Sequence, residues 1–310
     1  MIIFSFGSAI LRAIGDTRRP LIYMIIAGVV NVLLNLFFVL VCKIDVAGVA
    51  IATKASNVLS AFLVLRALTK SHEGYRLRWK MLHIRWDIIK EMLRIGVPAG
   101  IQGMLYSISN LLIQSSVNSF GWQSTAGNTA ALNLEGIVHV AFSSFGSAVV
   151  SFVGQNHGAK KYKRIARTIW LCLGCGMLTA IVLGGTTLLF KRQLLGIYNS
   201  DPGVIDFGVL RMNYQLPFYF LVAGIEVLTG ALRGLGHSVG PTIISLLGAC
   251  LLRVVWIFTL FRIYPTLDML MISYPVSWFL VFAATGYMLF VICRKMMKRA
   301  ILSKSVKARV

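Results

Sequence analysis

A chain of 310 residues that is 57% hydrophobic and only 13% charged, with a mean hydropathy of +0.77, has too little polar surface to cover itself in water. That composition excludes a soluble globular domain and predicts an all-α integral membrane protein. A net charge of +21 would ordinarily suggest a nucleic-acid partner, but the basic residues sit in alternate loops, where membrane topology accounts for them.

Taken in chain order, MIIFSFGSAIL (1–11) would reach only ~16 Å as a helix, about half the hydrocarbon thickness. It lacks the basic start and the cleavage site of a signal peptide and reads as a half helix. LRAIGDTRRP follows at Leu11–Pro20. Apolar runs then predict spans at residues 21–41 and 47–68, the second interrupted by Lys54 and Arg66. Residues 69–93 mix basic side chains with Trp79 and Trp86, a composition that suits a cytoplasmic linker with a segment at the membrane interface. No charge occurs from Ile95 to Leu134, too long a run for one span, and FGWQSTAGN (120–128) divides it into helices at 95–118 and 128–155. Spans at 168–190, 209–231, 241–262 and 269–293 complete eight full crossings plus the half helix.

The charges orient these helices. Arg12, Arg18 and Arg19 stand in the first loop, and the linker carries a second basic cluster. Lys160, Lys161, Lys163, Arg164 and Arg167 follow the helix at 128–155, and Arg294 to Arg309 fill the tail. The intervening loops are poor in Lys and Arg, so the basic loops and the C-terminus are expected in the cytoplasm of a multi-pass cell-membrane protein.

LRAIGDTRRP has a second copy, LRGLGHSVGP, at Leu232–Pro241, in register 221 residues later. In each, a helix ends at an Arg- and Gly-containing turn (Arg12 and Gly15; Arg233 and Gly236), and a Pro (Pro20; Pro241) opens the returning helix. Both loops face one side, which predicts parallel repeats about an axis along the membrane normal, the plan of a two-lobed transporter. The expected organisation is a remnant of an N-terminal lobe at 1–68, the linker at 69–93, a complete six-helix lobe at 94–299 and a basic tail at 300–310. By the same symmetry about 125 residues of the first lobe would precede Met1 in a longer product, and those helices would be partners of this chain.

Together LRAIGDTRRP, NVLLN (31–35), AGVAIAT (47–53), LRIGVPAGIQ (93–102), GQNHGAKKYKR (154–164) and GALRGLGHSVGP (230–241) resemble the multidrug and toxic compound extrusion (MATE) family over essentially the whole chain. The resemblance implies two six-helix lobes around a central cavity. It also implies export of organic, often cationic, small molecules in exchange for protons or sodium, by alternating access of the lobes. In the sodium-coupled branch a Glu stands about two turns after the Pro that opens the seventh helix, where this sequence has Tyr106; another branch relies on an Asp in a first helix that lies outside this chain. The resemblance leaves the coupling ion open.

A cavity between helices requires polar side chains at membrane depth. Candidates for its lining are Gln102, Tyr106, Asn110 and Gln114, four residues apart on one helix, and Asn31 and Asn35 on another. Candidates for ion coupling are Glu135 and His139, one turn apart and able to meet, and Glu226 and Arg253, able to pair across two antiparallel helices. Lys54 either snorkels to the outer surface or answers Glu135. Cys172 and Cys175 match C-x-x-C, but no second pair or nearby His completes a metal site, so neither metal nor cofactor is expected beyond H+ or Na+ as coupling ion.

No GxxxxGK[ST] loop is present for ATP, and no Asp-x-x-Asp pair or His box for a membrane-bound transferase. The expected protein is a transporter and not an enzyme. A flippase for lipid-linked oligosaccharides shares the architecture and is the alternative. It should line its cavity with several basic residues, and Lys54 and Arg253 are the ones the intact helices offer. An inactive fragment is the other alternative.

Overall fold

The computed structural model describes residues 1–43, 45–71, 74–78, 83 and 85–307, apart from the side chains of Asp45, Ile95 and residues 297–307. Trp79 of the linker and the side chains of the tail at 300–310 lie outside the described residues. The chain divides into two compact units, Met1–Arg85 and Trp86–Val310.

The N-terminal unit holds α1 (Ile2–Ala13), α2 (Arg18–Leu36, continued by a wide turn over Phe37–Val41) and α3 (Asp45–Thr69). Its small core is Leu11, Val64 and Leu68, with Phe4 and Tyr23 packed against it. Asn35 Nδ2 donates to Asn31 Oδ1 (3.1 Å), and Asn31 Nδ2 donates to Ser56 Oγ (3.2 Å), so these two asparagines bond α2 to α3. Lys54 is exposed.

The C-terminal unit is made of six rods. They are α4 (Trp86–Asn118); α5 (Trp122–Gly158); α6 (Tyr162–Leu189); α8 (Pro202–Gln215) continued by α9 (Tyr219–Gly234); α10 (Val239–Ser245), α11 (Leu252–Phe258) and α12 (Leu260–Ile263) in line; and α13 (Leu267–Lys307). A short α7 (Lys191–Tyr198) lies beside α8. Among the described residues seven helices are long and apolar enough to cross a membrane. The remaining expected span, at 95–118, is helical throughout within α4, where the Gln, Asn and Tyr stripe lowers its hydropathy. Large apolar side chains such as Leu111, Trp170, Leu189 and Phe290 stand exposed around the bundle, as suits a protein whose outer solvent is lipid.

Helix ends depart from the predicted spans where local chemistry overrides hydropathy. FGWQSTAGN does not form a broad break, because α5 begins at Trp122. The helix expected from 209 begins at Pro202, seven residues earlier. Asp201 caps it, its Oδ1 accepting from the N–H groups of Gly203 (2.7 Å) and Val204 (3.3 Å), with Pro at the first turn where a missing N–H costs nothing. Pro217 then interrupts the rod with a single 3₁₀ turn at Leu216–Phe218 before α9 resumes.

The repeated loops share one backbone geometry. Gly15 and Gly236 both take positive φ (+94° and +82°). The N–H of the next residue reaches back to the same carbonyl in each, Asp16 to Leu11 (2.9 Å) and His237 to Leu232 (2.8 Å). Each is a glycine-terminated helix end in which the left-handed residue lets the chain satisfy orphan carbonyls. Pro20 and Pro241 fall within the first turn of the following helix, and both are buried. The end of α5 repeats the geometry without glycine: Lys160 has φ +56°, and Lys161 N–H bonds Asn156 O at 2.8 Å. Lys160→Gly is therefore expected to raise the thermal unfolding midpoint of the purified protein, by up to about 1 kcal/mol in stability; an unchanged or lower midpoint would show that this turn carries no strain.

Side by side, α5 and α8–α9 run parallel, in contact through small residues. Cβ atoms added at Gly127 or Gly230 would collide with backbone of the facing rod, and one at Gly146 would stand tight against it. This close seam fixes the rotation of both rods, and so decides which of their side chains face inward.

Candidate functional site

Against that seam the C-terminal unit encloses a cavity of about 460 Å³. Five rods contribute: Tyr106, Asn110 and Gln114 from α4; Asn128, Glu135 and His139 from α5; Arg211, Gln215 and Tyr219 from α8–α9; Arg253 from α11; and Tyr274 and Trp278 from α13.

Its centre is a buried ion pair, Glu135 with Arg211, whose side chains are only 2% and 3% exposed. Arg211 Nη2 donates to Glu135 Oε2 (2.7 Å), and Nε donates to Oε1 (3.0 Å), a two-pronged contact that also fixes orientation. The remaining prongs are used as well: Nη1 donates to Asn128 Oδ1 (2.8 Å) and Nη2 to Gln215 Oε1 (3.0 Å), while Tyr219 donates its hydroxyl to Glu135 Oε2 (3.0 Å). The chain of bonds continues outward from Asn128 Nδ2 to Gln114 Oε1 (2.6 Å) and from Gln114 Nε2 to Asn118 Oδ1 (2.9 Å). One network thus joins α4, α5, α8 and α9.

An aromatic wall faces it. Tyr219, Trp278 and Tyr274 meet edge to face with centroids 5.6 and 5.7 Å apart, and Phe142 continues the set between Tyr219 and His139. The guanidinium of Arg253 stacks 4.2 Å from the Tyr274 ring centroid, with Arg211 at 5.4 Å from the same ring. A wide helical turn at Leu246–Leu251 immediately precedes Arg253; such local expansions re-aim the residues that follow.

The ionisable candidates are paired differently from the sequence expectation. Glu135 and His139 are not joined to each other, because the seam turns Glu135 toward Arg211 and His139 toward α9. His139 Nε2 lies 3.9 Å from Glu226 Oε1, and both side chains are nearly half exposed. Glu226 and Arg253 likewise form no ion pair among the described residues; Arg253 Nε donates instead to Ser277 Oγ on α13 (2.9 Å). Glu135 is answered by Arg211, on a helix of its own unit.

Of the predicted lining, Tyr106, Asn110 and Gln114 reach the cavity. Gln102 does not: its Oε1 accepts from Arg233 Nη2 (3.0 Å) of the second repeated loop, and Thr242 Oγ1 lies 3.4 Å away. Gln102 thus ties α4 to the loop that carries Gly236. Asn31 and Asn35 belong to the separate N-terminal unit. Sequence reasoning missed Asn128, Arg211, Gln215, Tyr219, Tyr274 and Trp278.

An all-α bundle of apolar helices around a polar, aromatic-walled cavity defines the class of multi-pass membrane proteins. The pattern of the MatE family matches residues 98–259, more than half of the chain, and the protein belongs to that family. It is 26% identical to the "Probable multidrug resistance protein NorM" of Thermotoga maritima, over 97% of this chain and 66% of the relative. It is 28% identical to the "Probable multidrug resistance protein YpnP" of Bacillus subtilis, over 81% of this chain and 56% of the relative. A crystal structure of a MATE protein superposes with a TM-score of 0.88 at 17% identity, covering 96% of this chain and 67% of the other. The chain spans about two thirds of the length of the first curated relative it matches and less of the second.

Proposed function

We propose that the protein is a secondary antiporter that exports small organic compounds, cationic ones among them, across the cell membrane in exchange for protons or sodium. Alternating access of two lobes would carry the cargo, with the C-terminus in the cytoplasm. Family membership and the names of the curated relatives support efflux. The observation that carries ion coupling is the His139–Glu226 pair, 3.9 Å apart, with His139 on the cavity wall and both side chains nearly half exposed at membrane depth. Ionisable groups at membrane depth are costly, and where they occur they mark paths for ions or substrates. A proton or a sodium ion on this pair changes the charge that a cationic cargo meets, so ion and cargo compete for one carboxylate. Glu135, locked by Arg211 and Tyr219, acts on this reading as the frame of the site.

The test is efflux of a cationic dye from proteoliposomes under an imposed pH or sodium gradient. Glu226→Gln is expected to reduce gradient-driven efflux on the order of tenfold, the factor for about 1.4 kcal/mol of lost coupling, and His139→Gln to shift its pH dependence. If both variants keep the parent's response to both gradients, the pair does not couple transport. The flippase alternative gains little: Arg211 adds a second guanidinium to the cavity wall, but Glu135 neutralises it.

A further inference from the structure

The two buried guanidiniums of the cavity are treated in opposite ways. Every guanidinium nitrogen of Arg211 has a hydrogen-bond partner, and its charge is met by Glu135. Arg253, only 2% exposed, donates through Nε to Ser277 Oγ, and among the described residues its buried Nη2 has no hydrogen-bond partner. No carboxylate of the described residues lies within 4.0 Å of it. Stacking on Tyr274 offsets only part of what it costs to bury a charge without a counter-charge. Among the carboxylates and guanidiniums that line the cavity, Glu135 and Arg211 cancel, and Arg253 stands alone.

We propose that Arg253 is a binding site for an anionic group, a carboxylate or a phosphate, carried on a planar apolar body that lies against Tyr274 and Trp278. The inference rests on the cavity being a cargo site and narrows the cargo: whatever cationic part it presents toward Glu226, it has an acidic group for Arg253. The unfilled Nη2 supplies the donor, and the guanidinium plane offers the fork that carboxylate and phosphate oxygens accept. A volume of about 460 Å³ suits a drug-sized molecule. An anionic lipid headgroup would present the same chemistry as a soluble acid.

The test is equilibrium binding to the purified chain in nanodiscs, independent of transport and of any gradient, so failure here leaves the efflux experiment standing. The probes are 2-naphthoate and (2-naphthyl)methylammonium, which share an aromatic body and differ in charge. In phosphatidylcholine discs the acid is expected to bind roughly tenfold or more tightly than the ammonium probe. Arg253→Gln should remove that preference without lowering thermal stability, since it deletes an uncompensated buried charge. Arg253→Lys should keep the preference for the acid at weaker affinity, and it serves should the Gln variant fail to fold. Added phosphatidylglycerol that displaces the acid would identify the occupant as a lipid headgroup; undiminished binding would identify it as a soluble acid. Equal binding of the two probes to the parent, or an Arg253→Gln variant that still prefers the acid, overturns the proposal.

Discussion

Replacing Glu135 with glutamine is expected to destabilise the C-terminal unit by about 3–5 kcal/mol, the cost of removing one partner from a buried ion pair. The two side chains are nearly isosteric, so volume is not the cause. Arg211 keeps hydrogen-bond acceptors on Asn128 and Gln215 but loses its counter-charge in a site 3% exposed, and a guanidinium cannot shed its proton to escape. The converse change, Arg211→Met, strands the Glu135 carboxylate in the same buried site without its counter-charge and should also destabilise the unit. The double variant Glu135→Leu/Arg211→Met removes both charges. It should recover much of the loss, though Asn128, Gln215 and Tyr219 each lose a partner at about 1–3 kcal/mol apiece if none is replaced. Thermal unfolding of the detergent-solubilised protein, followed by loss of the monodisperse peak, reads all three. A Glu135→Gln protein as stable as the parent would show that the pair is not the frame of the cavity. It would also return Glu135 to the candidates for ion coupling.

The long helices were legible because the bilayer demands uncharged runs of a set length, and most of them appear where those runs lie. The repeated loops were legible for a more local reason: a glycine that must take positive φ leaves a mark in the sequence, and Gly15 and Gly236 both take it. The start of α8 was written in the chain as Asp201-Pro202-Gly203, a capping signal, yet hydropathy alone placed it seven residues late. That error set Arg211 at the edge of a span, where a basic residue needs no partner. Counted from Pro202, it lies about 14 Å inside the helix and does need one.

What the sequence could not show is which way each helix is turned. Glu135 meets Arg211 across 76 residues, and only the contact between α5 and α8–α9 decides that Glu135 faces Arg211 while His139 faces Glu226. Tyr274 and Trp278 look like ordinary apolar helix residues until Arg253 is found beside them. On α4, steps of four brought Tyr106, Asn110 and Gln114 to the cavity, but the same stripe drifts around the helix, and Gln102 ends against Arg233 instead.

The seam itself gives the second large effect. A Cβ at Gly230 would stand 2.5 Å from the carbonyl oxygen of Gly146 and 2.7 Å from Val149 Cγ1. The first obstacle is backbone, which cannot swing aside as a side chain can. Gly230→Ala is therefore expected to cost about 1–3 kcal/mol by overpacking, and Gly230→Val more, although either residue would favour an isolated helix over glycine. Gly185→Ala provides the control of opposite sign: its Cβ would meet nothing within 4 Å, so helix propensity alone acts, and stability should rise by up to about 1 kcal/mol. The functional consequence follows from what the seam carries. Glu226 lies one turn before Gly230 on α9, and His139 lies two turns before Gly146 on α5, so forcing the rods apart lengthens the 3.9 Å contact between them. In the same motion Tyr219 is drawn away from Glu135. A Gly230→Ala protein that survives solubilisation should accordingly lose gradient coupling before it loses its fold. If it exports with the parent's gradient dependence while melting lower, the seam serves stability alone, and the His139–Glu226 pair does not depend on it.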